Sequence, residues 1–482
     1  MVLLKKMLIG KRLIVFGTGT TAAQWYEQLT HTGIHVDCFT DNNSQKWMDE
    51  FQKRPIISPG QLQVEHDVII IASEYEDEIA EQLERIGFVL HENCLKHSYI
   101  LNYTADMEYC WNTASTVNVT NISSIHDIHA VDTIHVEVNH GNYHFLGQSP
   151  NNISRYQYPS FMIPQQTYPS DNINVYKLKR GITVGTNGSV LTEQKQLIRE
   201  FSSYNTLALN VWDAQRINMD VIKDKYIANL DYTVAVTTTQ WGGINYYHWM
   251  MEELPRFYLL SFCTENIDYY ISNYRMRLFQ KQTLEYLGIP LQKIIRSSDA
   301  YAIQASQLVV PYSPAYDSGY IPQWVCDFLK QLFNPLLQLN EYHYHKYIYI
   351  ARGNAHNRKV ENEQEVIQYL EQADFKIIYL EHYSVQEQVN IFYNAEVIVA
   401  PHGAGLTNLV FCRKETKVLE IFQPMYAPIM FRNICENQQL AYHCAVGERT
   451  DFDFMEHMDV FANEKNIRIN MQDIKAFVSL YM

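Results

Sequence analysis

Asn394-Ala-Glu-Val-Ile-Val-Ala-Pro-His-Gly-Ala-Gly-Leu-Thr-Asn-Leu-Val-Phe-Cys412 decides how the second half of the chain folds. Val397 to Ala400 is a short apolar run that reads as a buried parallel strand. Pro401 cuts it. His402, Gly403, Ala404 and Gly405 follow, and a helical pattern resumes at Leu406. A strand, a tight glycine turn and a helix start form an anion site: glycines allow close approach, and the first N–H groups of the helix point at the ligand. Thr407 and Asn408 add side-chain hydrogen bonds, and His402 can donate to a phosphate. The plainer alternative is a structural turn with a satisfied histidine.

Outward from this loop the pattern repeats. Tyr347 to Ala351, Lys376 to Leu380 and Lys417 to Phe422 read as strands, with helices from Glu361 to about Gln372 and from Ser384 to Asn394. Alternating strands and helices mean a parallel sheet that binds ligands beyond its strand C-termini. One such end carries Arg352-Gly-Asn-Ala-His-Asn-Arg358-Lys359, and no acid lies between Tyr342 and Val360. In a chain of net charge −15 that local excess points to phosphate, whose oxygens match the arginine fork. Glu420, near its strand's end, is a candidate acceptor for ribose hydroxyls, although such residues are often merely superficial.

Upstream lies Trp241-Gly-Gly-Ile-Asn-Tyr-Tyr-His-Trp-Met-Met-Glu-Glu-Leu-Pro-Arg256. On a helix Asn245, His248, Glu252 and Arg256 share one face. Pro255 is expected to bend or end that helix, taking Arg256 out of the row. The stripe suits a helix end lining a cleft.

The first hundred residues read as βαβ alternation. A strand Leu13 to Phe16 leads into Gly17-Thr-Gly-Thr-Thr-Ala22, and a second strand, His35 to Thr40, ends at Asp41. This is a dinucleotide fingerprint with its acid, in a unit short for a full NAD domain.

Length and composition bound the rest. At 482 residues the chain holds two to four domains. It is 47% apolar and 19% charged, which permits sizeable cores. Its acidic balance excludes general nucleic-acid binding. The eight cysteines form no C-x-x-C, so neither zinc nor a thioredoxin motif is indicated. Histidines 126, 129, 135, 140 and 144 match no ligand spacing, and Asp451-Phe-Asp453 is a pair common by chance, so no metal is expected. The N-terminus is a poor signal peptide and no apolar run is long enough to span a membrane.

His-Gly-Ala-Gly-Leu-Thr-Asn at 402–408 resembles the most recognisable motif of the family-61 glycosyltransferases. The Asn-Tyr-Tyr-His segment with an acid four residues on, continuing to Leu-Pro-Arg, and the basic loop resemble two further blocks of that family, in family order. Ala351 stands where the family usually has Ser. The first hundred residues resemble a small Rossmann-like domain fused to bacterial sugar-modifying enzymes. The resemblance implies an α/β protein with a GT-B-like two-lobed fold preceded by a Rossmann-like domain. The divisions are 1–100 accessory, 101–150 connector with short strands, 151–335 acceptor-side lobe, and 336–482 nucleotide-sugar lobe with a C-terminal tail helix. It also implies an inverting transferase with a UDP-linked sugar donor and a glycan or lipid-linked glycan acceptor in bacterial polysaccharide synthesis. The setting is cytoplasmic, with the inner membrane face as one option, and no cofactor is required. Donor-site residues would be Arg352, Arg358, His402, Gly403, Ala404, Gly405, Thr407, Asn408 and Glu420. Asn245 and Arg256 would face the acceptor. Glu252 is the preferred proton acceptor, because the family keeps a carboxylate there, with His248 as its partner or as the base itself. Two other readings stay open: an NAD-dependent sugar-modifying oxidoreductase, and a non-catalytic sugar-binding protein.

Overall fold

Three sheets rich in parallel strands organise the computed structural model, which describes residues 7–31, 33–73, 75–90, 93–97, 110–128, 131–137, 150–155, 173–202, 204–205, 215–216, 222–239, 241–243, 245–299, 301–312, 321–337, 344–353, 358–424, 426–448 and 466–481. The Asp451-Phe-Asp453 pair and histidines 129, 140 and 144 lie outside them. No helix among the described residues is long and apolar enough to cross a membrane.

The first sheet places Arg54–Ile57, Cys38–Thr40, Arg12–Phe16, Asp67–Ile71 and Cys94–Lys96 side by side and parallel, with Glu50–Phe51 antiparallel at one edge. In chain order that is 3-2-1-4-5, a doubly wound order. Gly17 ends the first strand at φ 118°, and a Cβ there would lie 2.7 Å from the Ala72 carbonyl oxygen, so only glycine fits. The acid of the fingerprint, Asp41, is already engaged: its carboxylate accepts from Thr18 Oγ1 at 2.5 Å and from Lys46 Nζ at 3.1 Å.

The central sheet has eleven strands. Ile294–Arg296, Tyr269–Ser272, Tyr226–Val236 and Tyr301–Pro311 run parallel in that order. Mostly antiparallel strands complete it, with Asn121–Ser123 parallel to Gln196–Ile198. Val131–Val136 pairs with Ile173–Lys179, and Cys110–Thr116 with Tyr226–Val236, so the stretch read as a connector contributes strands to this sheet.

The C-terminal sheet is wholly parallel, ordered Lys376–Ile378, Tyr347–Ile350, Val397–Pro401, Lys417–Phe422, Ala441–Val446. In chain order that is 2-1-3-4-5. Its direction of growth reverses between Tyr347–Ile350 and Val397–Pro401, and such a switch point opens a crevice at the strand C-termini. Val397–Pro401 does not stop before its proline, as sequence suggested. Pro401 stands in register with Ile421, and His402 N continues the ladder to Ile421 O at 2.8 Å.

The central and C-terminal sheets bury one common apolar cluster, from Val136 and Trp249 to Phe411 and Phe431. The helical segment 246–260 lies within it. It is α-helical over Tyr246–His248, a π turn over Trp249–Glu253, and α-helical again over Leu254–Leu260. Pro255 therefore does not end the helix, though Arg256 does leave the row of His248 and Glu252. The wider turn precedes it, and the proline enters at the start of the next α segment, where a missing N–H costs little.

Candidate active site

The switch-point crevice is a cavity of about 350 Å³ lined by Ile350, Ala351, Arg352, Leu380, Glu381 and Pro401, and by Gly403 to Leu406. Gly403 has φ 176°, which is ordinary extended backbone, and the 3-10 helix Ala404–Phe411 starts after it. The glycines leave room for two side chains: a Cβ at Gly403 would displace Arg352 Nη1, and one at Gly405 would displace Leu380 Cδ1. Arg352 thus lies directly over the loop, with Nη1 donating to the His402 carbonyl at 3.4 Å. Its backbone N–H donates to Glu363 at 2.8 Å.

Arg358 lies nearby without lining the cavity, its guanidinium 5.5 Å from the centre of the Tyr426 ring. Burial first, and the Arg358 charge second, push the Arg352 guanidinium down to about 10. Burial lowers Arg358 too. The two half-buried guanidiniums lie near enough for the Arg358 charge to act on Arg352.

His402 is buried at 3% exposure and packed by the rings of Phe422, Tyr426 and Phe431. Its Nδ1 meets Glu420 Oε1 at 2.6 Å, and Glu420 Oε2 accepts from the Tyr442 hydroxyl at 2.7 Å. Burial, then Arg358 and Arg352, hold the imidazole well below its usual range, and burial holds the Glu420 carboxyl well above its own. Both shifts favour the uncharged forms, and with a proton held between Glu420 and Nδ1 the remaining ring hydrogen sits on Nε2 as a donor. Glu420 has no exposure and both oxygens engaged, which leaves neither for a ribose hydroxyl; it orients His402 instead.

Asn408 is turned inward as well. Its Oδ1 accepts from Tyr246 Oη at 2.9 Å, and its Nδ2 donates to Gln388 Oε1 and Gly405 O. Thr407 is fully buried, and its hydroxyl has no hydrogen-bond partner.

On the segment 246–260, Asn245 caps the first turn, accepting from Tyr247 N at 2.8 Å. His248 Nδ1 lies 2.7 Å from Glu252 Oε1, and both side chains are nearly buried. The Tyr247 ring touches His248 and Phe431, and Phe431 touches His402. Two rings thus connect the two histidines. Arg256 is not brought to them: it is buried and donates to the carbonyls of Thr238 and Pro311.

Sequence reasoning missed Glu253. It is fully buried, accepts from Ser272 Oγ and Asn273 N, and is pushed up to about 8 by burial. Its position beside Glu252 hid it, since adjacent residues on a wide turn face different ways. Tyr442 and Tyr426 were also missed, and no local pattern marks either. Among the described residues no group of His, Cys, Asp and Glu is arranged to hold a metal ion.

Comparison with known proteins bears on this site. Residues 9–91 match a family described as C2185-like, N-terminal. Over 62 residues the chain is 42% identical to a beta-1,2-xylosyltransferase of Oryza sativa subsp. japonica, a stretch covering 13% of this chain and 12% of that protein. Residues 246–419 match the family described as Glycosyltransferase 61. That range runs from the helical segment of His248 and Glu252 through Arg352 and Arg358 to the glycine loop, and over it the chain is similar to glycosyltransferase family 61.

Proposed function

We propose that the chain is an inverting glycosyltransferase that moves a sugar from a UDP-linked donor to a hydroxyl of a glycan or lipid-linked glycan, its central and C-terminal sheets forming a GT-B-like pair of lobes. The observation that carries this reading is that Arg352 and the Gly403 turn line one switch-point crevice, with Arg358 and His402 near enough to Arg352 for their charges to interact. The leaving diphosphate gains negative charge as the glycosidic bond to phosphate breaks, and that electron pair departs with it. Arg352 and Arg358 offset the charge, and His402 Nε2–H and the loop amides donate to its oxygens. The acceptor oxygen attacks the anomeric carbon from the opposite face, and Glu252 takes its proton. His248 donates from Nδ1 to the same carboxylate and holds it in line. The donor chemistry is served without a metal, and the bacterial polysaccharide setting rests on the Leu-Pro-Arg continuation of the 245–256 segment.

The engagement of Asp41 by Thr18 and Lys46 weighs against an NAD-dependent oxidoreductase. The test is a panel of nucleotide sugars scored for nucleoside diphosphate release, with product configuration read by NMR. Release from a UDP-sugar with an inverted product supports the reading. No release from any donor, or a retained anomeric configuration, defeats it.

A further inference from the structure

One side-chain hydrogen bond ties the start of the segment 246–260 to the glycine loop. Tyr246 Oη donates to Asn408 Oδ1 at 2.9 Å across 162 residues of sequence. The tyrosine is pre-aimed. Asn245 caps its turn, and its ring stands edge-on to Phe279, with centroids 5.3 Å apart at 90°. Asn408, fully buried, is a hub. Its Nδ2 reaches Gly405 O within the loop, and Gln388 Oε1 at 3.0 Å. Gln388 in turn donates to the carbonyls of Leu380 and Tyr383. Leu380 and Glu381 form one wall of the cavity, and Gly403 to Leu406 form the facing wall. The network thus reaches both walls from a residue two positions before His248.

We propose that Tyr246 is a positioning residue: its hydroxyl, through Asn408, sets both walls of the cavity against the helical segment that carries His248 and Glu252. This rests on reading that cavity as the diphosphate site. A ligand that orders the loop then also orders the segment, so base and leaving group come into line together.

The test is hydrogen exchange by mass spectrometry on the full chain, with and without saturating UDP. Without ligand, Tyr246→Phe speeds exchange in 404–411, Asn408→Ala speeds it in 246–253, and both leave 12–16 at the wild-type rate. UDP slows exchange in both segments of the wild type, but in Tyr246→Phe it slows only 404–411. A purely structural tyrosine would not uncouple the two responses. If Tyr246→Phe leaves 404–411 at the wild-type rate, or if UDP protects 246–253 equally in that variant, the proposal is overturned. If Tyr246→Phe loosens the whole chain, Asn408→Ala decides: an unchanged 246–253 overturns it. If UDP protects neither segment of the wild type while the unliganded variants loosen as expected, the diphosphate reading fails and the positioning link stands.

Discussion

His402 Nδ1 lies 2.6 Å from Glu420 Oε1, on neighbouring parallel strands and sealed from water. The bond fixes which ring nitrogen is left to face an anion. Glu420→Leu removes it while keeping an apolar volume in the core. Diphosphate affinity is expected to fall roughly 10- to 100-fold, the worth of a hydrogen bond to a charged group. Calorimetric titration with UDP checks this; unchanged affinity would make the pair merely structural.

Gly403→Ala takes away no charge, yet its methyl would occupy the place of Arg352 Nη1. It should therefore behave like Arg352→Ala, each lowering turnover by roughly 10² or more. Arg358→Ala should do the same. Steady-state rates on a UDP-sugar check the comparison. A Gly403→Ala enzyme with normal turnover would mean that Arg352 does not work from above the loop.

Much of this was legible in advance. Sequence puts Arg352 and the glycine turn at the ends of parallel strands, and they line one cavity, because parallel alternation dictates where strand ends meet. The His248–Glu252 contact followed from helical spacing. What sequence could not show depends on distant pairing. Asn408 and Glu420 were read as ligand contacts because nothing local announces Tyr246 or Tyr442 as their partners. Pro255 was read as a break because a π turn leaves no periodic mark. The resemblance puts Arg256 at the acceptor, yet the carbonyls of Thr238 and Pro311, far from it in sequence, claim it.

Glu253 makes stability depend on pH. Burial lifts its carboxyl from 4.5 to about 8, so between those values the folded state holds a proton that the unfolded state has lost. Its contribution therefore falls as pH rises through that window and levels off above it. Glu253→Gln keeps the shape without the proton. Its stability relative to wild type should rise from pH 5 to pH 8, as urea denaturation at several pH values will read. A parallel pair of profiles would show that Glu253 is ionised in the fold.

Activity should survive strong chelation, since guanidiniums, an imidazole and backbone amides serve the diphosphate. Loss of turnover in EDTA, restored by Mn²⁺, would contradict this and make Asp451 and Asp453 worth changing.

Glu252→Gln should cut turnover by roughly 10² to 10⁴ while leaving UDP affinity intact. If it stays active and His248→Ala is dead, the histidine is the base. Retained turnover in both variants would remove the base from this segment.

The most direct measurement is calorimetric titration of UDP into the wild-type chain and Arg352→Ala. Saturable binding by the wild type, weakened roughly 100-fold or more in the variant, is expected if the guanidinium beside Gly403 holds the diphosphate. Equal binding by both proteins, or none by the wild type, would contradict a donor site at the crevice between Tyr347–Ile350 and Val397–Pro401.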